Sequence, residues 1–344
     1  MAYTTINKHT DYFNTKLYTG NGSTQSITGV GFQPDLTWIK RRDGGTAHHQ
    51  VFDVIRGANK RIYPSSNAIE DTATDTLTSF DSDGFSVGAN AGVNGSSNGT
   101  VAWNWKAGGS GSTNYDGSIN STVSVNTTAG FSIVKWTGDS SASATVGHGL
   151  GATPAVIITK EMNGEDWWHV YHKDLTADYN LFPNTTNAET KPSDGTLSNV
   201  GSSTFGFQGA TNVVAVNESG INNIGYCFVE KTGYSKFGSY SGNGNSNGPF
   251  VYTGFKPAWI YIKRKNGTGN WQLLDNKRIG YNVENRTIYG SNIIEQDEDE
   301  LDILSSGFKI RSTGTDANGS GDTYIYMAFG QSLVGSNNVP CTAR

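Results

Sequence analysis

Gly31–Phe32–Gln33–Pro34–Asp35–Leu36–Thr37–Trp38–Ile39–Lys40 is one of three related stretches in this chain. Its glycine, proline and lysine return at the same spacing in Gly151–Ala152–Thr153–Pro154 with Val156, Ile157, Ile158 and Lys160. They return again in Gly254–Phe255–Lys256–Pro257 with Trp259, Ile260, Ile262 and Lys263. The three prolines lie 120 and 103 residues apart. That is the size of a small domain and well beyond the roughly 20–50-residue unit of a solenoid.

The flanks repeat as well. Tyr18–Thr19–Gly20, Trp136–Thr137–Gly138 and Tyr240–Ser241–Gly242 open the copies, and Val101–Trp105, Ile224–Phe228 and Ile325–Phe329 close them. Val101, Trp103 and Trp105 share one face of an extended segment, as do Ile325, Met327 and Phe329. The runs Leu36–Ile39, Val156–Ile158 and Trp259–Ile262 are apolar on both faces and read as central strands. Pro34, Pro154 and Pro257 are expected just outside them, where a missing amide hydrogen breaks no ladder. Further strands are expected after Gly84 and Gly307, with Phe205–Gly206–Phe207 as the middle counterpart. Helix is expected only as a turn or two within Ile294–Leu304.

The pattern predicts an all-β chain of three diverged tandem β-sandwiches of jelly-roll or concanavalin-like topology. The expected division is an attachment arm over 1–15, sandwiches over 16–110, 130–233 and 234–330, a Gly/Ser/Asn linker over 111–129, and a tail over 331–344. Each sandwich is expected to have its own core. Periodicity leaves open the strand order and whether each opening strand completes the preceding sandwich.

Composition narrows the function classes. The chain has 344 residues, a net charge of −5, 16% charged residues and 44 glycines. No basic surplus is present to hold phosphate backbones, and no apolar run of about 18 residues to span a bilayer. Residues 1–11 lack the basic and apolar segments of a secretory signal. Cys227 and Cys341 lie in unlike settings and are expected to be free thiols, with no disulfide framework.

The candidate sites are few. Adjacent His48 and His49, near Asp53, point to opposite faces of an extended segment and suit a structural role better than a metal. In Trp167–Trp168–His169–Val170–Tyr171–His172, one alternating set enters the core. The other is free for a glycan or partner contact, because a flat ring covers the apolar face of a pyranose. Asp81 and Asp83 are weak calcium candidates, without the later acidic ligand of an EF-hand. The acidic run from Glu295 to Asp302 reads as a solvated loop or helix start. Lys40, Lys160 and Lys263 recur without a recurring base or nucleophile, so they read as architectural, paired with Asp53 or Asp275. Gly244–Asn245–Ser246–Asn247–Gly248 has nucleophile-elbow spacing but runs into Pro249 and reads as a loop. No cofactor and no enzymatic activity are expected. A glycosidase would need two carboxylates facing across a cleft.

With these motifs laid out, the chain resembles structural proteins of tailed bacteriophages, especially those of marine bacteria, whose repeats look like concanavalin-type lectin domains. The resemblance rests on Tyr18–Gly22, Gly31–Asp35 with Trp38–Lys40, Phe52–Asp53 with Arg56–Gly57, Thr78–Phe85 and Val101–Lys106. Leu274–Asp275 and Ser306–Phe308 carry it in the third copy. It implies a non-enzymatic virion component, a tail or head fibre or appendage, that associates with itself as a trimer and with other virion proteins. Attachment to host-surface carbohydrate would be its alternative role and polysaccharide hydrolysis a remote one. No nucleic acid or membrane partner is implied.

Overall fold

Alternation along Gly99–Trp105 sends Val101, Trp103 and Trp105 to one face and Ala102 to the other. The same alternation separates Tyr226 and Phe228 from Cys227, and Met327 and Phe329 from Ala328. In the computed structural model, which describes residues 4–43, 46–209, 213–290, 295–332 and 334 (the side chains of 284, 285, 298 and 299 aside), these two faces meet two different cores.

Each repeat is a sandwich of an inner and an outer sheet. The inner sheet of the first repeat runs Phe13–Thr19, Gly99–Trp105, Leu36–Arg41, Gln50–Asp53. In the second the order is Phe131–Thr137, Asn222–Phe228, Val156–Glu161, His169–His172, and in the third Ser235–Ser241, Thr323–Ser332, Phe255–Arg264, Gln272–Asp275. Registers coincide: Leu36 pairs with Trp105 and Asp53, Val156 with Phe228 and His172, and Trp259 with Phe329 and Asp275. The opening strand therefore belongs to its own repeat. The outer sheets are three-stranded in the first two repeats, Gln25–Thr28 with Gly84–Val87 and Leu77–Asp81, and Thr145–Gly147 with Thr204–Gln208 and Thr196–Ser198. In the third, Glu284–Tyr289 and Glu295–Leu304 carry the inner sheet round into the outer one.

Between its sheets each sandwich has a core of its own. The other face of every inner sheet turns to a fourth, shared core, built from Trp38, Trp103 and Trp105 of the first repeat, Phe131, Trp168 and Tyr226 of the second, and Trp259, Tyr261 and Phe329 of the third. Each sandwich thus keeps the core expected of it, and the fourth core joins the three units into one body. An inner sheet sandwiched between two cores is apolar on both faces, which explains the central runs. Aromatic pairs cross the repeat boundaries, such as Trp105–Trp259 at 5.5 Å and Phe228–Phe329 at 5.7 Å. Each such pair is worth about 0.5–1.5 kcal/mol beyond the area it buries.

Other expectations change in detail. The acidic run is not helical: Leu301 and Ile303 enter the third sandwich core with a period of two, and Glu295–Leu304 is a strand. Ile294 lies outside the described residues. The stretch 111–129 is not free linker, since Ser112–Asn114 and Ser121–Asn126 extend the middle inner sheet. The arm is not free either, because Ile6 and Phe13 are buried in the shared core and the His9 backbone N–H donates to Gln331. Pro257 lies within its strand, where a bulge between Pro257 and Trp259 absorbs it. Cys227 is a buried free thiol; Cys341 falls outside the described residues, with most of the tail.

Gly84 and Gly307 are among the glycines that close approach of the backbone requires. A Cβ on Gly84 would lie 1.9 Å from the Ile27 carbonyl oxygen, and one on Gly307 2.0 Å from that of Val251. Gly84→Ala is therefore expected to cost about 1–3 kcal/mol by forcing the outer sheet apart. A urea-unfolding midpoint unchanged from the parent would contradict this.

Candidate functional site

Polar groups buried where the repeats meet form a cycle. Asp53 accepts hydrogen bonds from the backbone N–H groups of Ile55 and Arg56, from Arg56 Nε at 2.5 Å, and from the Tyr226 hydroxyl of the second repeat at 2.8 Å. Asp275 accepts from Lys277 N, Arg278 N, Arg278 Nε at 2.7 Å, and Trp103 Nε1 of the first repeat at 3.0 Å. In the second repeat His172 stands at this place and Leu175 where the arginine would be. His172 Nδ1 accepts from Asp174 N, so Nε2–H donates to the Tyr326 carbonyl of the third repeat at 3.3 Å.

A second cycle runs alongside. Trp168 donates to the Tyr63 carbonyl, Trp271 to the Phe182 carbonyl, and His49 Nε2 to the Tyr289 carbonyl. Trp38 Nε1 donates to His49 Nδ1, which places the proton on Nε2. The second repeat thus contacts the first, the first the third and the third the second: a closed head-to-tail ring.

Burial, opposed by Asp53, Tyr226 and Glu70, leaves the Arg56 guanidinium more firmly protonated than usual. Burial pushes His172 down to about 4 and His49 well below the ordinary imidazole value.

The lysines do not pair with these aspartates, whose carboxylates are taken by the arginines. Lys40 donates to the carbonyls of Arg41 and Ala47, Lys160 to those of Glu161 and Gly164, and Lys263 to those of Arg264 and Thr186. Burial lowers Lys40 and Lys160 to about 8 and Lys263 to about 7. At these three lysines the unfolded chain therefore holds more protons between those values and about 10.5, so their contribution to stability rises with pH across that window. Lys263→Met is expected to reduce this rise by up to about 1.4 kcal/mol per pH unit. Urea unfolding of both proteins between neutral and alkaline pH checks it, and parallel curves would refute it.

The acidic run is not solvated throughout. Glu295 pairs with Arg42 of the first repeat and with Arg278, and Asp302 with Arg311. Asp83 accepts from Gly29 N and Gly31 N, and Asp81 from Ser79 and Ser86, so both act as turn clamps. Among the described residues no three His, Cys, Asp or Glu side chains are grouped to hold a metal, and no helix is long and apolar enough to cross a membrane. Gly31, Gly151 and Gly254 all have positive φ, which accounts for the recurring glycine.

The Trp167–His172 stretch divides in two. Trp168, Val170 and His172 face the shared core, while Tyr171 packs on the second sandwich core. Trp167 and His169 border an open groove with Asp166, Phe182, Thr190 and Asp194, of about 280 Å³. Trp167 is 39% exposed and packs against Phe182 at 5.0 Å. Sequence reasoning missed the carboxylates of this groove and the arginines of the ring, although Asp53–Arg56 and Asp275–Arg278 share one spacing.

A model for a domain of unknown function, DUF7483, matches residues 8–332. The chain belongs to this family. The DUF7483 domain takes in all three repeats as one unit, as a ring whose members share a core requires. No curated protein and no solved structure matches the chain.

Proposed function

We propose that this DUF7483 chain is a non-enzymatic structural protein of a tailed-bacteriophage virion, forming or decorating a fibre or appendage on the tail or capsid. The observation that carries the reading is the closed ring. Its aspartates and histidines are spent on bonds from one repeat to the next, with the arginines holding the aspartates in place, which makes a stiff block rather than a reactive cleft. Self-association as a homotrimer, contact with other virion proteins and a virion location after assembly in the host cytoplasm belong to the same proposal. The edge strand Phe250–Tyr252 offers a contact surface, with Phe250 and Tyr252 on one face at 49% and 63% exposure. Cryo-EM of purified particles is expected to show density of this ring on the capsid or tail. Absence of the protein from the particles would refute it.

A second reading, a lectin-like protein attaching to host polysaccharide, is favoured by half-exposed Trp167 in its groove. Trp168 and His172, buried between repeats, favour the scaffold. A glycan array with the purified chain tests the second reading, and no binding to any glycan would count against it.

A further inference from the structure

The groove beside Trp167 departs from the repeat. Where the middle repeat has Asp166–Trp167, the equivalent positions of the other two carry Ala47–His48 and Gly269–Asn270. Those residues are engaged, His48 with Ser65 and Tyr63 and Asn270 with Asp316. Seven of the eight tryptophans are buried, and Trp167 is the exception. Architecture shared by three repeats does not call for a tryptophan here.

Three kinds of group converge on the groove. The exposed part of the Trp167 indole supplies a flat apolar surface. Asp166 and Asp194 both line it and repel one another, which adds to burial in raising Asp166. His169, 2% exposed, forms part of the wall. The Asn180 amide donates to its Nδ1 at 3.0 Å, leaving the proton on Nε2, which has no protein partner.

We propose that this groove binds an amino sugar, its pyranose face against Trp167 and its ammonium group between Asp166 and Asp194. A neutral sugar would leave the repulsion between the carboxylates unrelieved. An acyclic amine would leave the indole surface unused. Cation–π attraction to Trp167 adds to the preference for a charged ring substituent. The site rests on the groove alone and stands or falls separately from a virion location.

The full chain is titrated at neutral pH with glucosamine, glucose, N-acetylglucosamine and ethanolamine, followed by calorimetry and tryptophan fluorescence. Glucosamine is expected to bind at least about tenfold more tightly than glucose or N-acetylglucosamine, a difference of ~1.4 kcal/mol. Asp194→Asn should abolish that preference while leaving glucose binding unchanged, and Trp167→Ala should remove binding of every sugar. Both side chains are partly or fully exposed, so circular dichroism and the urea midpoint should show an intact fold. Equal affinity for glucose and glucosamine, ethanolamine binding as tightly as glucosamine, or no binding of any probe would each overturn the proposal.

Discussion

Asp53→Ala is expected to destabilise the protein by about 3–5 kcal/mol, because it strands a buried arginine. The side chains of Arg56 and Asp53 are 1% and 0% exposed, so the guanidinium left behind cannot recover hydration. The Tyr226 hydroxyl and two backbone N–H groups lose their acceptor in the same step. Tyr226→Phe removes one hydrogen bond to a charged group and should cost about 1.5–3 kcal/mol. The double change Asp53→His with Arg56→Leu copies His172 and Leu175, removes both buried charges together, and is expected to recover part of the loss. Urea unfolding of the three variants decides the matter. An Asp53→Ala cost no greater than that of Tyr226→Phe would show that stranding Arg56 adds nothing to the loss of the joint.

Acid is expected to open the same joints. Burial holds His172 near 4 and His169 near 3, and also lowers His49 and His148, whereas in the unfolded chain each would titrate near 6.5. Between the folded and unfolded values the unfolded state binds more protons, so stability is present above about 6.5 and is lost as pH falls towards 4. For His172 alone the loss is about 3 kcal/mol by pH 4. Glu161 works the other way: burial raises it to about 7, and its protonation favours the folded state as pH falls. Burial also raises Asp35 and Asp166, which act in the same direction as Glu161, and lowers His9 and His48, so that all six imidazoles oppose the three carboxyls. His172→Gln retains an N–H donor for the Tyr326 carbonyl and cannot titrate, so its stability should fall less steeply below pH 6.5. A parent protein equally stable in urea at neutral pH and near pH 4.5 would refute the account.

Of the candidate site, only the aromatic half was legible in sequence. Trp167 and His169 stood out in a dense aromatic stretch, yet alternation alone placed Trp167, His169 and Tyr171 on one face without saying which would be exposed. Asp194 is 27 residues from Trp167 and reaches the groove only because the chain folds back. The lysines illustrate the opposite limit. Their recurrence suggested an architectural role, but pairing them with Asp53 and Asp275 overlooked nearer arginines and main-chain carbonyls within reach of the ammonium groups.

The β class, the three repeats and the strands that start after glycine follow from local chemistry. Period-two alternation, positive-φ turns and repeated spacing act over a few residues and are written in any short window. The ring is different. Leu36–Ile39 had to be buried on both faces, but nothing within it says that one face meets its own outer sheet and the other meets Trp259 and Tyr226. That partnership joins residues two hundred positions apart on one side and nearly as many on the other. It forms because three inner sheets, each left with an uncovered apolar face, remove more surface from water by closing on one another than any of them could alone.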